Sequence, residues 1–259
     1  MPSDPPSPLE SVATRSRRVG RSASGQALFE RWFPRLYQQR FTILLVSLAA
    51  VLFVPPLDSA ANRAAHLGRS GLISSLAFMA TLLTAVLAVT NRWRTFAFFI
   101  VMSSAYLVST TWFLIHPGRT PLLLSTILAV IILGTTLGLV SLYLFRCRQV
   151  DISLVRLAIC LYLLLGVFFT SLYLLTEVLA PGSFRLGLNT QHHLWSLSYW
   201  LQLHKQLSYF SFVTLTTLGY GDITPANETA GTLAVAEAMV GQLFIAVVLA
   251  RTVTLQPTK

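Results

Sequence analysis

Thr216-Thr217-Leu218-Gly219-Tyr220-Gly221-Asp222 is the stretch in which residue types and spacing point to chemistry. Two glycines flank one tyrosine, and long apolar runs lie on both sides. Glycine adopts positive φ at little cost. A backbone that alternates between left- and right-handed conformations turns successive carbonyls to one side. Four such strands around an axis stack rings of oxygen dipoles, and such rings can replace the water shell of a bare cation. Irregular backbone at membrane depth is tolerated only where protein or a water-filled path surrounds it. The stretch therefore reads as a re-entrant loop lining a path through a membrane.

Thr217 to Asp222 resembles the T-V-G-Y-G-D signature of potassium channels, with Leu218 in place of the valine. The wider stretch Tyr209 to Pro225 is similar to the pore of bacterial members of that family. The carbonyl-ring mechanism belongs to the family and comes with the resemblance. It implies that the backbone carbonyls of Thr217, Leu218, Gly219 and Tyr220 bind K+ in a filter that Gly221 completes. The Thr217 hydroxyl would add the innermost ring. The Leu218 side chain would turn away from the ion, so its departure from valine touches packing and not chemistry. Tyr209 and Phe210 stand where many members carry a tryptophan pair, which implies an aromatic cuff with Tyr220 pointing into it. Asp222 would sit at the outer mouth. Some members pair that aspartate with a pore-helix glutamate; here the matching position is Val213, so the pair is absent. Gly241 matches the hinge glycine of the family's inner helix.

The elements that must position this loop are helical. Residues Gln206 to Thr216 suit a short pore helix, too short to span, whose C-terminal partial negative charge favours a cation. Thr216 closes it at the cavity side. Spans are predicted at about Phe41 to Leu57, Gly71 to Val89, Thr95 to Ile115, Pro121 to Phe145, Leu154 to Leu179 and Thr232 to Val253. Glu237 is an ionisable residue inside the sixth span, a costly placement that usually marks function. It lies one turn before Gly241 on the same face. It either hydrogen-bonds near the base of the pore helix, as a neutral acid, or faces the channel as a solvated carboxylate. Gln242, Ile245 and Leu249 fall at spacings suited to line a cavity below the filter.

Composition agrees with this class. Of 259 residues 54% are hydrophobic and 11% charged, which excludes an ordinary soluble domain. The net charge of +10 sits in arginines beside apolar spans, so it points to membrane surface and not to nucleic acid. With the N-terminus inside, fourteen of the 19 Lys and Arg residues fall on the inner side. Five fall outside: Arg63, Arg69, Arg119, Arg185 and Lys205. That bias favours a cytoplasmic N-terminus. The resemblance requires the same, because the family's filter loop enters from outside. Eight residues follow Arg251, an expectation of no ligand-sensing domain beyond it.

The fourth span has no charged residue between Pro121 and Phe145. A voltage sensor needs charge that moves through the field. Gly134 and Gly138 form a G-x-x-x-G pair there, read as close packing within one subunit. Cys147 and Cys160 give no disulfide framework. His192 and His193 read as part of a solvated outer segment, since no Cys or carboxylate stands at ligand spacing. No nucleophile–base set or phosphate loop appears, so the chain is not read as an enzyme.

The expected architecture is an all-α membrane protein with six transmembrane helices and a re-entrant pore helix and filter loop between helices 5 and 6. Residues 1–40 form a basic cytoplasmic tail, 41–146 a four-helix peripheral domain without sensor arginines, and 147–259 the pore domain. Potassium conduction by a homotetramer in the cell membrane follows, with both termini cytoplasmic. K+ is the permeant ion and no cofactor is expected. The partners are K+, the lipid bilayer and three further copies, with no nucleic acid. The alternatives are a non-selective cation channel and a non-conducting regulatory subunit.

Overall fold

The computed structural model describes Thr42, residues 44–49, 93–146, 152–186 and 197–254. The expectations for residues 1–40, the second span, Cys147, His192 and His193 lie outside the described residues, as does most of the first span. Five helices are described in full. They are α1 (Trp93–Ile115), α2 (Arg119–Arg146), α3 (Ile152–Leu179), α4 (Leu197–Leu215) and α5 (Glu228–Thr254). Two-residue strands β1 (Phe184–Arg185) and β2 (Thr224–Pro225) pair antiparallel, with Phe184 opposite Pro225. Residues 44–49 are also helical.

Among the described residues four helices are long and apolar enough to cross a membrane: Ala97–Ile115, Arg119–Arg146, Leu154–Leu179 and Glu228–Val248. They carry the third to sixth predicted spans. The chain is thus mostly helical, with several candidate spans. The largest boundary difference is α4, which starts at Leu197 and not near Gln206. Leu197, Tyr199, Trp200 and Leu203 give that earlier segment an apolar face, which packs into the core. Its polar residues, among them Gln202 and His204, obscure the period in the sequence.

His116-Pro117-Gly118 ends α1, since the residue before proline is pushed out of helical conformation. Pro121 sits in the first turn of α2, where its missing N–H loses no helical bond. The Ser109 hydroxyl donates to the Pro121 carbonyl at 3.0 Å and fixes the turn. Arg119 Nη2 donates to the Leu179 carbonyl at 3.2 Å, so the start of α2 caps the end of α3. Gly134 meets Phe168 of α3, whose ring would lie 3.3 Å from an added Cβ, while Gly138 is open. One glycine of the pair therefore serves packing within the chain.

Helix α3 is the centre. Leu157, Leu161, Leu164, Leu165, Phe169 and Tyr173 are buried along it. It packs against α2, α4 and α5. Hydroxyls inside these helices bond back to the carbonyl four residues earlier, as in Thr136 to Ile132 at 2.7 Å and Thr170 to Gly166 at 2.9 Å. By contrast α5 leaves Val235, Met239, Leu243 and Val247 exposed on one stripe.

Candidate functional site

Helix α4 ends at Leu215 because its last turn runs into a reversal. Thr217 N–H donates to Thr214 O at 2.9 Å, and Leu218 N–H donates to Val213 O at 2.9 Å. Gly219 N–H reaches the same Val213 carbonyl at 3.4 Å. Val213 thus supports the loop through its backbone, while its side chain is buried. From there the chain alternates. Thr217, Gly219 and Gly221 have φ of 58°, 57° and 78°, and Leu218 and Tyr220 between them are not in that region. Two of the three positions are glycine, as the sequence leads one to expect. Thr217 is the surprise, because a β-branched residue is strained at positive φ.

The loop is exposed along its length. Leu218 is 59% exposed and Tyr220 66%. The Tyr220 ring stacks on Tyr209 of α4, with centroids 6.5 Å apart and planes 8° from parallel. The Asp222 carboxylate lies near enough to the Tyr209 hydroxyl for the two to interact electrostatically. Phe210, the neighbour of Tyr209, points the other way into the core. Its ring lies 5.2 Å from Tyr173 and 5.5 Å from Phe184. Successive positions on a helix face about 100° apart, so one of the pair reaches the loop and the other the core.

At the loop's inner end three elements meet. The Tyr162 hydroxyl of α3 donates to the Leu215 carbonyl at 3.1 Å. An added Cβ on Gly241 of α5 would lie 2.5 Å from that same oxygen. Gln242 Nε2 donates to Thr217 Oγ1 at 3.3 Å. The Thr216 hydroxyl bonds back to Phe212 O at 2.6 Å. Ile245 is exposed on the C-terminal half of α5. Leu249 is on α5, but its side chain is outside the described residues.

Glu237 is fully buried. Tyr173 of α3 donates its hydroxyl to Oε2, and Ser211 of α4 lies against Oε1. Ser211 also lies 2.8 Å from the Gly166 carbonyl of α3. One carboxyl therefore joins α3, α4 and α5 about one turn before the end of α4. Of the two placements left open by the sequence, the structure has the interhelical one.

Sequence reasoning missed several supporting groups. Glu177 is 3% exposed, and its carboxylate accepts the N–H groups of Gly182 at 2.7 Å and Ser183 at 2.9 Å. The rule that singled out Glu237 applies equally to a carboxylate near the end of α3 and was the available signal. Ser183 in turn ties the two sides of the loop together. Its carbonyl accepts Ala226 N–H at 2.7 Å, and its hydroxyl accepts from Asn227 at 2.8 Å. Asn227 also caps α5 through Ala230 N–H at 2.8 Å. Tyr162, Tyr173 and Ser211 carry no sequence signal, since each looks like any polar residue in an apolar helix. Among the described residues no cluster of His, Cys, Asp and Glu could hold a metal ion.

Residues 198–255 match the model of a family described as ion channels. The match supports an ion-channel function. Its window holds nearly all of α4, the whole loop and α5, which is less than a quarter of the chain. No curated protein and no solved structure matches the chain. The match and the apolar helices together support a multi-pass membrane protein.

Proposed function

We propose that four copies of this chain form a potassium-selective channel, with the loop from Thr217 to Gly221 as its filter. The observation that carries the reading is the alternation of φ at Thr217, Gly219 and Gly221. Alternation of this kind aims the carbonyls of Thr217, Leu218, Gly219 and Tyr220 to one side. One chain supplies one strand, and a ring needs several. The stripe of Val235, Met239, Leu243 and Val247 on α5 supports self-association, since it leaves a long apolar face for neighbouring copies. Tyr209 and Asp222 brace the outer end of the strand, and Val213 braces it from behind. Thr216, Gln242 and Ile245 line the cavity, and Glu237 and Gly241 hold the inner helix against α4. Residues 147–259 form the pore domain, 41–146 the peripheral helices and 1–40 a cytoplasmic tail. Both termini face the cytoplasm, and α4 enters the membrane from outside without crossing it.

The test is conduction by the purified protein in liposomes. A reversal potential that follows the K+ gradient and ignores the Na+ gradient is expected. A reversal potential near zero in opposed K+ and Na+ gradients would identify a non-selective pore. Absence of flux from a folded tetramer would identify a non-conducting subunit.

A further inference from the structure

We propose that Gln242 is a positioning residue for the innermost ring of the filter, acting through the Thr217 hydroxyl. This rests on the reading of Thr217 as the innermost ion ligand.

The junction between α4 and the loop is held from two sides. The Leu215 carbonyl is one of the terminal carbonyls that a helix leaves without a partner. Tyr162 satisfies it from α3. Gly241 lets the α5 backbone press against it, at a distance where a Cβ has no room. That contact sets the height of α5 against the end of α4. The next residue, Gln242, is thereby brought under Thr217, with Nε2 3.3 Å from Oγ1.

The direction of the bond matters. A hydroxyl has one proton and two lone pairs. An amide N–H on one lone pair leaves the second lone pair for a cation and sends the hydroxyl proton in the third direction, away from the ion. A free rotor could turn that proton toward the axis, where it would repel the cation. Thr217 also needs holding, since its φ of 58° is strained for a β-branched residue. Glutamine does this without a charge. Four carboxylates at the same place would bind cations too tightly to release them, and conduction requires binding weak enough to leave.

The experiment is a double-mutant cycle between Gln242→Met and Thr217→Val in reconstituted channels, read as Na+ to K+ permeability ratio from reversal potentials. Methionine keeps the length and loses the donor; valine keeps the shape and loses the hydroxyl. Gln242→Met removes one such bond from each of the four chains and is expected to raise the ratio by at least roughly fivefold, the worth of a single ordinary hydrogen bond. On the Thr217→Val background the same change should do nothing further. Equal effects of Gln242→Met on both backgrounds, or parental selectivity in Gln242→Met, would overturn the proposal. A parent channel without potassium preference would instead overturn the functional reading beneath it. Should Thr217→Val not conduct, the K+ concentration that half-maximally raises the thermal stability of the detergent-purified tetramer replaces flux. It should shift severalfold in Gln242→Met when Thr217 is present and not when it is valine; the same shift on both backgrounds overturns the proposal.

Discussion

The α-carbon of Gly241 lies so close to the Leu215 carbonyl that a Cβ would stand 2.5 Å from the oxygen. The glycine is required by contact, whatever bending it also permits. The oxygen belongs to backbone already held by Tyr162, so it has little freedom to yield.

Gly241→Ala should therefore disturb the filter as well as any gate. Overpacking of this kind costs about 1–3 kcal/mol. On the proposed reading of the loop as a potassium filter in a tetramer, the expected outcome is a lower Tm together with weakened potassium selectivity. If alanine changes only open probability, with Tm and reversal potential as in the parent, the glycine is a hinge and the contact is slack.

Gly219→Ala tests the loop itself. At φ of 57° an alanine costs about 1–2 kcal/mol over glycine. Within one copy no neighbouring atom lies within 4 Å of the added Cβ, so the strain inside the strand is conformational. Selectivity should be lost while the chain still assembles, which reversal potentials and a size measurement of the purified protein report separately. Intact selectivity would remove the alternating backbone as its basis.

The loop was legible because glycine spacing maps directly onto backbone conformation. The long helices were legible from apolar length alone. What braces the loop was not. Gly241 reads as a hinge or as a contact with equal ease until the Leu215 carbonyl is found beside it, and that neighbour is 26 positions away in sequence. Thr217 gives no sign of positive φ, because its strain is imposed by the α4 terminus and tolerated through tertiary contacts. The β1–β2 ribbon is two residues per strand, too short for any period. Phe210 and Tyr209 look equivalent in sequence and separate only when the rotation of α4 is known.

Asn227 caps α5 and bonds the Ser183 hydroxyl, so it joins the approach to α4 with the exit from the loop. Asn227→Ala should cost about 0.5–2 kcal/mol from the cap alone. Asn227→Ser keeps a capping oxygen and should recover part of the loss. Thermal unfolding of both variants in detergent checks this. Equal Tm for alanine and serine would show that the link to Ser183, and not the cap, is what counts.

Voltage should have little direct hold on the pore. Helix α2 runs 28 residues and carries charge only at its ends, Arg119 and Arg146. A charge that never enters the field does no electrical work. Conductance measured in blocker-free solutions across both polarities should vary shallowly. A steep activation curve, equivalent to several gating charges, would place a sensor outside α2.

Glu237 offers the sharpest contrast between two substitutions. Ser211 has one proton and two acceptors in reach, Gly166 O and Glu237 Oε1. If the carboxyl is ionised, Ser211 can serve only one of them. If it is a neutral acid, its proton goes to Ser211 Oγ, the Ser211 proton goes to Gly166 O, and Tyr173 donates to Oε2. Every group is then satisfied. Glutamine reproduces that pattern: its carbonyl accepts from Tyr173 and its amide donates to Ser211. Glu237→Gln should accordingly leave Tm and selectivity close to the parent. Glu237→Ala leaves the Tyr173 hydroxyl buried without its acceptor, a cost of about 1–3 kcal/mol, and opens a void between three helices. It should lower Tm and destabilise the seat of α4. The measurement is thermal unfolding of both variants beside their reversal potentials. A glutamine variant as damaged as the alanine one would show that the charged form holds these helices together.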